Sequence, residues 1–321
     1  MIEEKKIAIV VPAYNEEAHI SNLLETMPKF VDKIYVINDS STDNTAQIVQ
    51  DFLLKDERVV LISLDKNIGV GGAIAQGYKL VIKNNEDVAV VMAGDGQMDP
   101  SDLTNILLPI IKERCDYSKG NRFIYSRIEL SKIPKNRLFG NLILSSLTKI
   151  ASGYWHVSDT QSGYTAINRR ALLAIDWDKC YPRYGYPNDY LIRLNIANMR
   201  VCDVPVKSIY GENWGSKMKV SKVIFPILKL LFRMFFMRIV IKYAVREGNP
   251  IILYYVCSFL SLLFALSIFI YILIKFFLTG IISQTASIFF VLMFIVFIQL
   301  ILNSFEMDYR YNEKLYIQPK E

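Results

Sequence analysis

The sequence predicts an α/β domain whose mostly parallel sheet carries helices on both faces, followed by interfacial helices and an α-helical transmembrane hairpin. Three observations predict it. Short apolar runs of strand length alternate with helical patterns up to residue 100, as crossover connections between parallel strands require. Polar clusters at 12–16, 39–43 and 93–99 each follow one of those runs. From residue 251 to 302 the only charged side chain is Lys275.

The elements follow in order. Residues 7–11 read as a buried strand broken by Pro12-Ala13-Tyr14-Asn15-Glu16-Glu17, with a helix through Met27. A strand over 33–38 ends in Asp39-Ser40-Ser41-Thr42-Asp43, where Ser41 or Thr42 can cap a helix through Leu54. A third strand, 59–64, leads through Gly69-Val70-Gly71-Gly72 into a helix ending at Lys83. A fourth, 88–92, ends at Ala93-Gly94-Asp95-Gly96-Gln97. Ligands bind beyond the carboxyl ends of such strands, so the three polar clusters are expected to line one crevice. Further on the pattern is less regular. It reads as a helix over 101–113, a strand carrying Lys119-Gly120-Asn121-Arg122, and a helix over 137–151. A loop Asp159-Thr160-Gln161-Ser162-Gly163, a helix opened by Pro187-Asn188-Asp189 and a strand over 201–206 complete the domain.

Residues 251–274 and 276–302 are each long enough to span a bilayer core of about 20 apolar residues. Lysine and arginine crowd the preceding side and the connector has one lysine, so both termini and the first domain are expected in the cytoplasm. Between 223 and 246, Lys229 and Arg233 share one helical face, while Arg238, Lys242 and Arg246 share another. A single straight surface helix would keep one basic stripe. Two interfacial helices, or one breaking near Phe235-Phe236, are therefore expected. The resulting division is 1–220 for the cytoplasmic domain, 221–248 for the interfacial helices, 249–304 for the hairpin and 305–321 for a solvated cytoplasmic tail. The net charge is +6. Its basic residues concentrate beside the membrane segments, which favours an anionic membrane surface over nucleic acid as partner. The four cysteines form no C-x-x-C pair, which argues against a zinc site or disulfide framework.

Asp95 and Gln97 place acidic and amide oxygens beside glycines at a strand end, a pattern suited to Mg²⁺ or Mn²⁺ held against a diphosphate, though also to a plain turn. The glycine loop departs from a dinucleotide fingerprint, because Ile74 stands at the sixth position. Asp189 is a candidate base, or a charge on a helix N-terminus. Neither His19 nor His156 belongs to a readable catalytic triad.

The runs from Val11 to Glu17, Asn38 to Thr45 and Ala93 to Pro100 occur in order. Together they resemble the family 2 glycosyltransferases, and most of all the dolichyl- or polyprenyl-phosphate sugar transferases. Gly120-Asn121-Arg122, the 159–163 loop and Gly215-Ser216-Lys217 strengthen the resemblance, which covers about residues 5–215. It implies a nucleotide-sugar-binding fold of the GT-A type. Pro12, Ala13, Tyr14 and Glu16 would border the nucleoside, and Asp39 would hydrogen-bond the base. Asp95 would face the donor and hold the metal with Gln97. The family's Asp-x-Asp motif has Ala93 in its first position here, leaving fewer charged ligands. Arg122, Arg137 and Lys217 resemble positions that meet phosphates of donor or acceptor lipid. Read from the sequence alone, each is a surface charge or salt-bridge partner.

The expected function is inverting transfer of a sugar from a UDP- or GDP-linked donor to a polyprenyl phosphate at the cytoplasmic membrane face. Two alternatives stand beside it: transfer to a glycan or glycolipid hydroxyl with Asp189 as base, and a non-catalytic nucleotide-sugar-binding membrane subunit. The membrane helices could also pair with copies of themselves, giving a homo-oligomer.

Overall fold

The structure, a computed structural model, describes residues 4–124, 135–207 and 220–316. The chain forms two compact units, Met1–Phe235 with Lys314–Glu321, and Phe236–Glu313.

The first unit is built on a seven-stranded sheet: β1 (Ile7–Ala13), β2 (Lys33–Asn38), β3 (Val59–Ser63), β4 (Val88–Val91), β5 (Tyr117–Asn121), β6 (Thr165–Asn168) and β7 (Val201–Pro205). The spatial order is β3-β2-β1-β4-β6-β5-β7. Strands β3, β2, β1 and β4 are mutually parallel, and β7 is parallel to β5. Only β6 runs against its neighbours. This strand was not expected. It has four residues, too short to show a period, and it follows a polar loop. The order reverses at β1, where β2 lies on one side and β4 on the other, so the crevice of this sheet opens at the carboxyl ends of β1 and β4.

All of β1 is buried, as a central parallel strand requires. Ile7, Ile9 and Val11 point to one face and pack with α1 (Ile20–Glu25), α2 (Thr45–Leu53) and α4 (Leu103–Ile111) through Leu23, Val49 and Ile106. Ala8 and Val10 point to the other, with Ala73, Tyr78 and Leu191 of α3 (Val70–Lys83) and α7 (Tyr186–Ile196). Each buried Ile, Val or Leu contributes about 1.5–3 kcal/mol. Helices α5 (Lys135–Ser152) and α6 (Arg169–Ala174) complete this unit's framework. The last described residues rejoin it. Leu315 is buried, and Tyr316 makes a parallel bridge to Val201 of the edge strand β7. The Tyr316 ring lies 4.2 Å from that of His156, whose Nε2 meets the Val201 carbonyl oxygen at 2.8 Å.

One helix, α8 (Val220–Arg238), precedes a π-helical stretch over Ile239–Arg246. The helical period changes after Arg238, three residues later than Phe235. The outcome for the charges differs from expectation. Lys229 and Arg233 are exposed, but Arg238 and Lys242 are buried. Arg238 forms a two-pronged ion pair with Asp308, at 2.7 and 2.9 Å, and Lys242 donates to Asn312 Oδ1 at 2.7 Å.

Two helices are long and apolar enough to cross a membrane, α9 (Ile251–Thr279) and α10 (Gln284–Asn312). They run antiparallel. Phe269 faces Phe290 at 5.4 Å between ring centroids, and Tyr255 faces Phe305 at 6.3 Å. Gly280, at φ +69°, ends α9 and starts the turn. Helix α9 passes through Lys275, and α10 continues into the region expected to be a solvated tail, because its Asp308 and Asn312 find buried partners in the 238–243 stretch.

Candidate active site

The loops after β1 and β2 are laced together by side chains acting on backbone. The Asn15 N–H donates to Ser41 Oγ at 3.0 Å, and the Thr42 N–H donates to Asn15 Oδ1 at 2.8 Å. The Glu16 N–H donates to Thr45 Oγ1 at 2.8 Å. Ser41 and Thr42 therefore serve this lacing and do not cap α2. That helix begins at Thr45, whose N–H is accepted by Asp43 Oδ1 at 3.0 Å. The Asp39 N–H donates to the Ala13 carbonyl at 2.9 Å and the Gly94 N–H to that of Pro12 at 3.1 Å, joining all three strand ends.

The result is a cleft of about 260 Å³ lined by Pro12, Ala13, Tyr14, Glu16, Asp39 and Asp95, together with Asn67, Ala93, Arg183 and Tyr184. All six residues expected to border the donor lie in its wall. Asp39 directly follows β2 and Asp95 lies in the loop after β4, strands that flank β1 on either side. Asp39 is only 3% exposed. Its two carboxylate oxygens accept the N–H groups of Ile68 and Gly69 at 2.7 and 2.8 Å, so it also fixes the loop that leads into α3. Burial pushes its pKa above the usual carboxylate range, and those two N–H groups and the Arg183 charge pull it back. Asp95 Oδ1 accepts the Gln97 N–H at 3.0 Å, a local turn bond. Among the described residues no three His, Cys, Asp or Glu side chains cluster as a metal site. Asp95 is in the cleft wall, whereas Gln97, two residues on, is not among its lining residues. A carboxylate with a neighbouring amide suits Mg²⁺ or Mn²⁺ when substrate phosphates and water supply the remaining ligands.

Asp189 lies elsewhere. It is 1% exposed in the first turn of α7, and its Oδ2 accepts the Tyr181 N–H at 2.8 Å and Arg193 Nε at 2.9 Å. Burial raises its pKa and the Arg193 charge opposes the shift. Arg122 grips the buried Asp159 with two bonds of 2.6 and 2.9 Å, which is the salt-bridge role. Beside them the fully buried Lys119 donates to the Ser162 carbonyl. Burial pushes the Lys119 ammonium down to about 8 against the pull of Asp159 and Asp203. The backbone of Arg137 lies in α5, but its side chain, like the whole of Lys217, is outside the described residues.

Sequence reasoning missed Arg183 and Tyr184, which reach the cleft from a loop far along the chain. The glycines of 69–72 were the available signal, as shown below.

Residues 8–175 match the model of glycosyl transferase family 2. The chain is 33% identical over 222 residues to a UDP-N-acetylglucosamine–dolichyl-phosphate N-acetylglucosaminyltransferase of Methanococcus voltae, covering 65% of this chain and 88% of that protein. It is 26% identical to an undecaprenyl-phosphate mannosyltransferase of Micrococcus luteus, over 66% of this chain and 87% of that one. Among solved structures, glucosyl-3-phosphoglycerate synthase from Mycobacterium tuberculosis, in complex with Mn²⁺, UDP and glucosyl-3-phosphoglycerate, superposes with a TM-score of 0.53. That match has 16% identity and covers 73% of this chain and 80% of the other, a likeness of fold. With its GT-A-like sheet, its cleft at the switch in strand order and this family match, the chain belongs to glycosyl transferase family 2 and is a glycosyltransferase.

Proposed function

We propose that the chain moves a sugar from a UDP- or GDP-linked donor to a polyprenyl phosphate at the cytoplasmic membrane face, with inversion at the anomeric carbon. The observation that carries this is the cleft itself. Its wall includes Asp39 after β2 and Asp95 after β4, on either side of β1; in our reading Asp39 serves the nucleoside and Asp95 the diphosphate. The relatives that act on dolichyl and undecaprenyl phosphates support the acceptor. So does α8. Its Ile227, Leu230, Leu231 and Met234 are buried, while Phe225 and Phe232 are 78% and 70% exposed beside Lys229 and Arg233. Apolar rings flanked by lysine and arginine are the surface of a helix lying in an anionic lipid interface.

In the reaction, an acceptor phosphate oxygen attacks the anomeric carbon in line. The bond from that carbon to the diphosphate oxygen breaks, and the nucleoside diphosphate leaves with the electron pair. The acceptor is already an anion at neutral pH, so no base has to activate it. This agrees with Asp189 being buried and ion-paired, and disfavours a sugar-hydroxyl acceptor that would need it open. Asp39 and the loop it fixes hold the nucleoside end. Asp95 and Gln97 would hold Mg²⁺ or Mn²⁺, which supplies charge neutralisation for the leaving diphosphate.

The test uses full-length protein in detergent with a panel of nucleotide sugars, a short-chain polyprenyl phosphate, and Mg²⁺ or Mn²⁺. Turnover with at least one donor is expected, and Asp95→Asn should lower kcat by about a hundredfold or more. Turnover on glycan hydroxyls alone would favour the hydroxyl-acceptor reading. Donor binding with no transfer to any acceptor would leave a non-catalytic subunit.

A further inference from the structure

The glycines at 69 and 71 are explained by what lies against them. Gly69 has φ +88° and stands at the start of α3. A Cβ there would come within 2.6 Å of the Pro182 carbonyl oxygen and 3.0 Å of Arg183 Cγ. A Cβ on Gly71 would meet the Tyr181 carbonyl oxygen at 2.5 Å and Tyr186 Cβ at 2.6 Å. Contacts that short with backbone cannot be relieved by turning a side chain. The Gly72 N–H closes the junction by donating to the Pro182 carbonyl at 3.0 Å. The glycines therefore let residues 181–184 lie directly on the start of α3, which carries Arg183 and Tyr184 into the cleft wall.

Arg183 enters at a particular end. Its stem lies over Gly69, whose N–H is held by Asp39, and its charge acts on the Asp39 carboxylate. This is the β2 side of the cleft. Asp95, where the donor reading sets the diphosphate, follows β4 on the other side of β1. On that reading the Arg183 guanidinium belongs to the nucleoside end.

We propose that Arg183 is a specificity-determining residue that, paired with Asp39, reads the imide edge of uracil and makes the donor a uridine diphosphate sugar. This rests on the donor-transfer reading above and names its substrate. Uracil presents one N–H between two carbonyl oxygens. Asp39 accepts the N–H, and the guanidinium donates to a neighbouring carbonyl. Asp39 holds one backbone N–H on each oxygen, from Ile68 and Gly69, and keeps lone pairs for the single imide N–H. Guanine has an amino group where uracil has its second carbonyl, so a guanidinium placed there meets a donor instead of an acceptor.

Binding of UDP, GDP and uridine to full-length protein in detergent tests this by calorimetry. Wild type should bind UDP about tenfold or more tighter than GDP. Arg183→Ala should weaken UDP and uridine alike by about tenfold while leaving GDP within about twofold, so that base discrimination collapses. Arg183→Lys should recover only part of the loss, since it keeps charge but not the planar fork. An unchanged UDP-to-GDP ratio in Arg183→Ala overturns the proposal. So does a loss seen for UDP but not for uridine, which would assign Arg183 to the diphosphate, and so does a wild type that prefers GDP. A wild type that binds neither nucleotide overturns the donor reading itself and this inference with it.

Discussion

Asp39 does two things at once, and they depend on one another. Its oxygens hold the 67–69 loop in place, and the same carboxylate borders the cleft. Asp203 is a different kind of buried acid. Its Oδ2 accepts from Asn121 Nδ2 at 2.6 Å and from the Ser158 N–H at 2.8 Å, while Oδ1 is buried with no hydrogen-bond partner among the described residues. Burial pushes its pKa up to about 6. The folded state therefore binds a proton more tightly than the unfolded chain between about pH 4 and 6. The stability this provides is complete below the unfolded pKa and is lost as pH rises through the folded one. Over that window the loss amounts to about 3 kcal/mol. In Asp203→Asn the pH dependence of thermal unfolding between pH 4 and 7 should flatten by that amount. A variant curve parallel to wild type would show that Asp203 does not titrate there.

At the scale of elements, the parallel strands and their polar ends were legible because each motif is continuous in sequence and lies at a strand terminus. β1 with 12–16, β2 with 39–43 and β4 with 93–97 needed no long-range information. What failed to show was whatever depended on distant partners. Arg183 enters the cleft wall by resting on glycines more than a hundred residues before it. Arg122 reads from the sequence alone as a surface charge or salt-bridge partner, and which partner it has shows only once Asp159 lies beside it. Arg238 and Lys242 read as a lipid-facing stripe, but Asp308 and Asn312 bury them. This last group carries its own prediction. Asp308 also accepts from the Tyr243 hydroxyl and from Asn312 Nδ2, the latter at 2.9 Å, so the 238–243 stretch and the end of α10 form one polar core. Asp308→Ala would leave the Arg238 guanidinium buried without its counter-charge, a loss of about 3–5 kcal/mol. The unfolding midpoint in detergent should fall accordingly. Arg238→Met combined with Asp308→Leu should restore most of it, because the uncompensated charge is then gone.

At the scale of the molecule, Leu315 and Tyr316 belong to the first unit. Tyr316 bridges Val201, its hydroxyl accepts the Trp155 N–H at 3.3 Å, and Leu315 is buried with the core around α3 and α7. Ending the chain at Glu313 should cost about 2–4 kcal/mol, chiefly the burial of these two side chains. It should show as faster proteolysis of the catalytic domain in the protein held in detergent, whereas Tyr316→Phe, which removes one hydroxyl, should cost about 1 kcal/mol. The return also has a topological consequence. The unit that loses the chain at Phe235 receives it back at Lys314. A folded domain cannot sit on both sides of a bilayer, so the segment between must cross it an even number of times. Parity admits a pair of crossings or none. A single span, with the other long helix lying outside, is excluded by where Tyr316 sits.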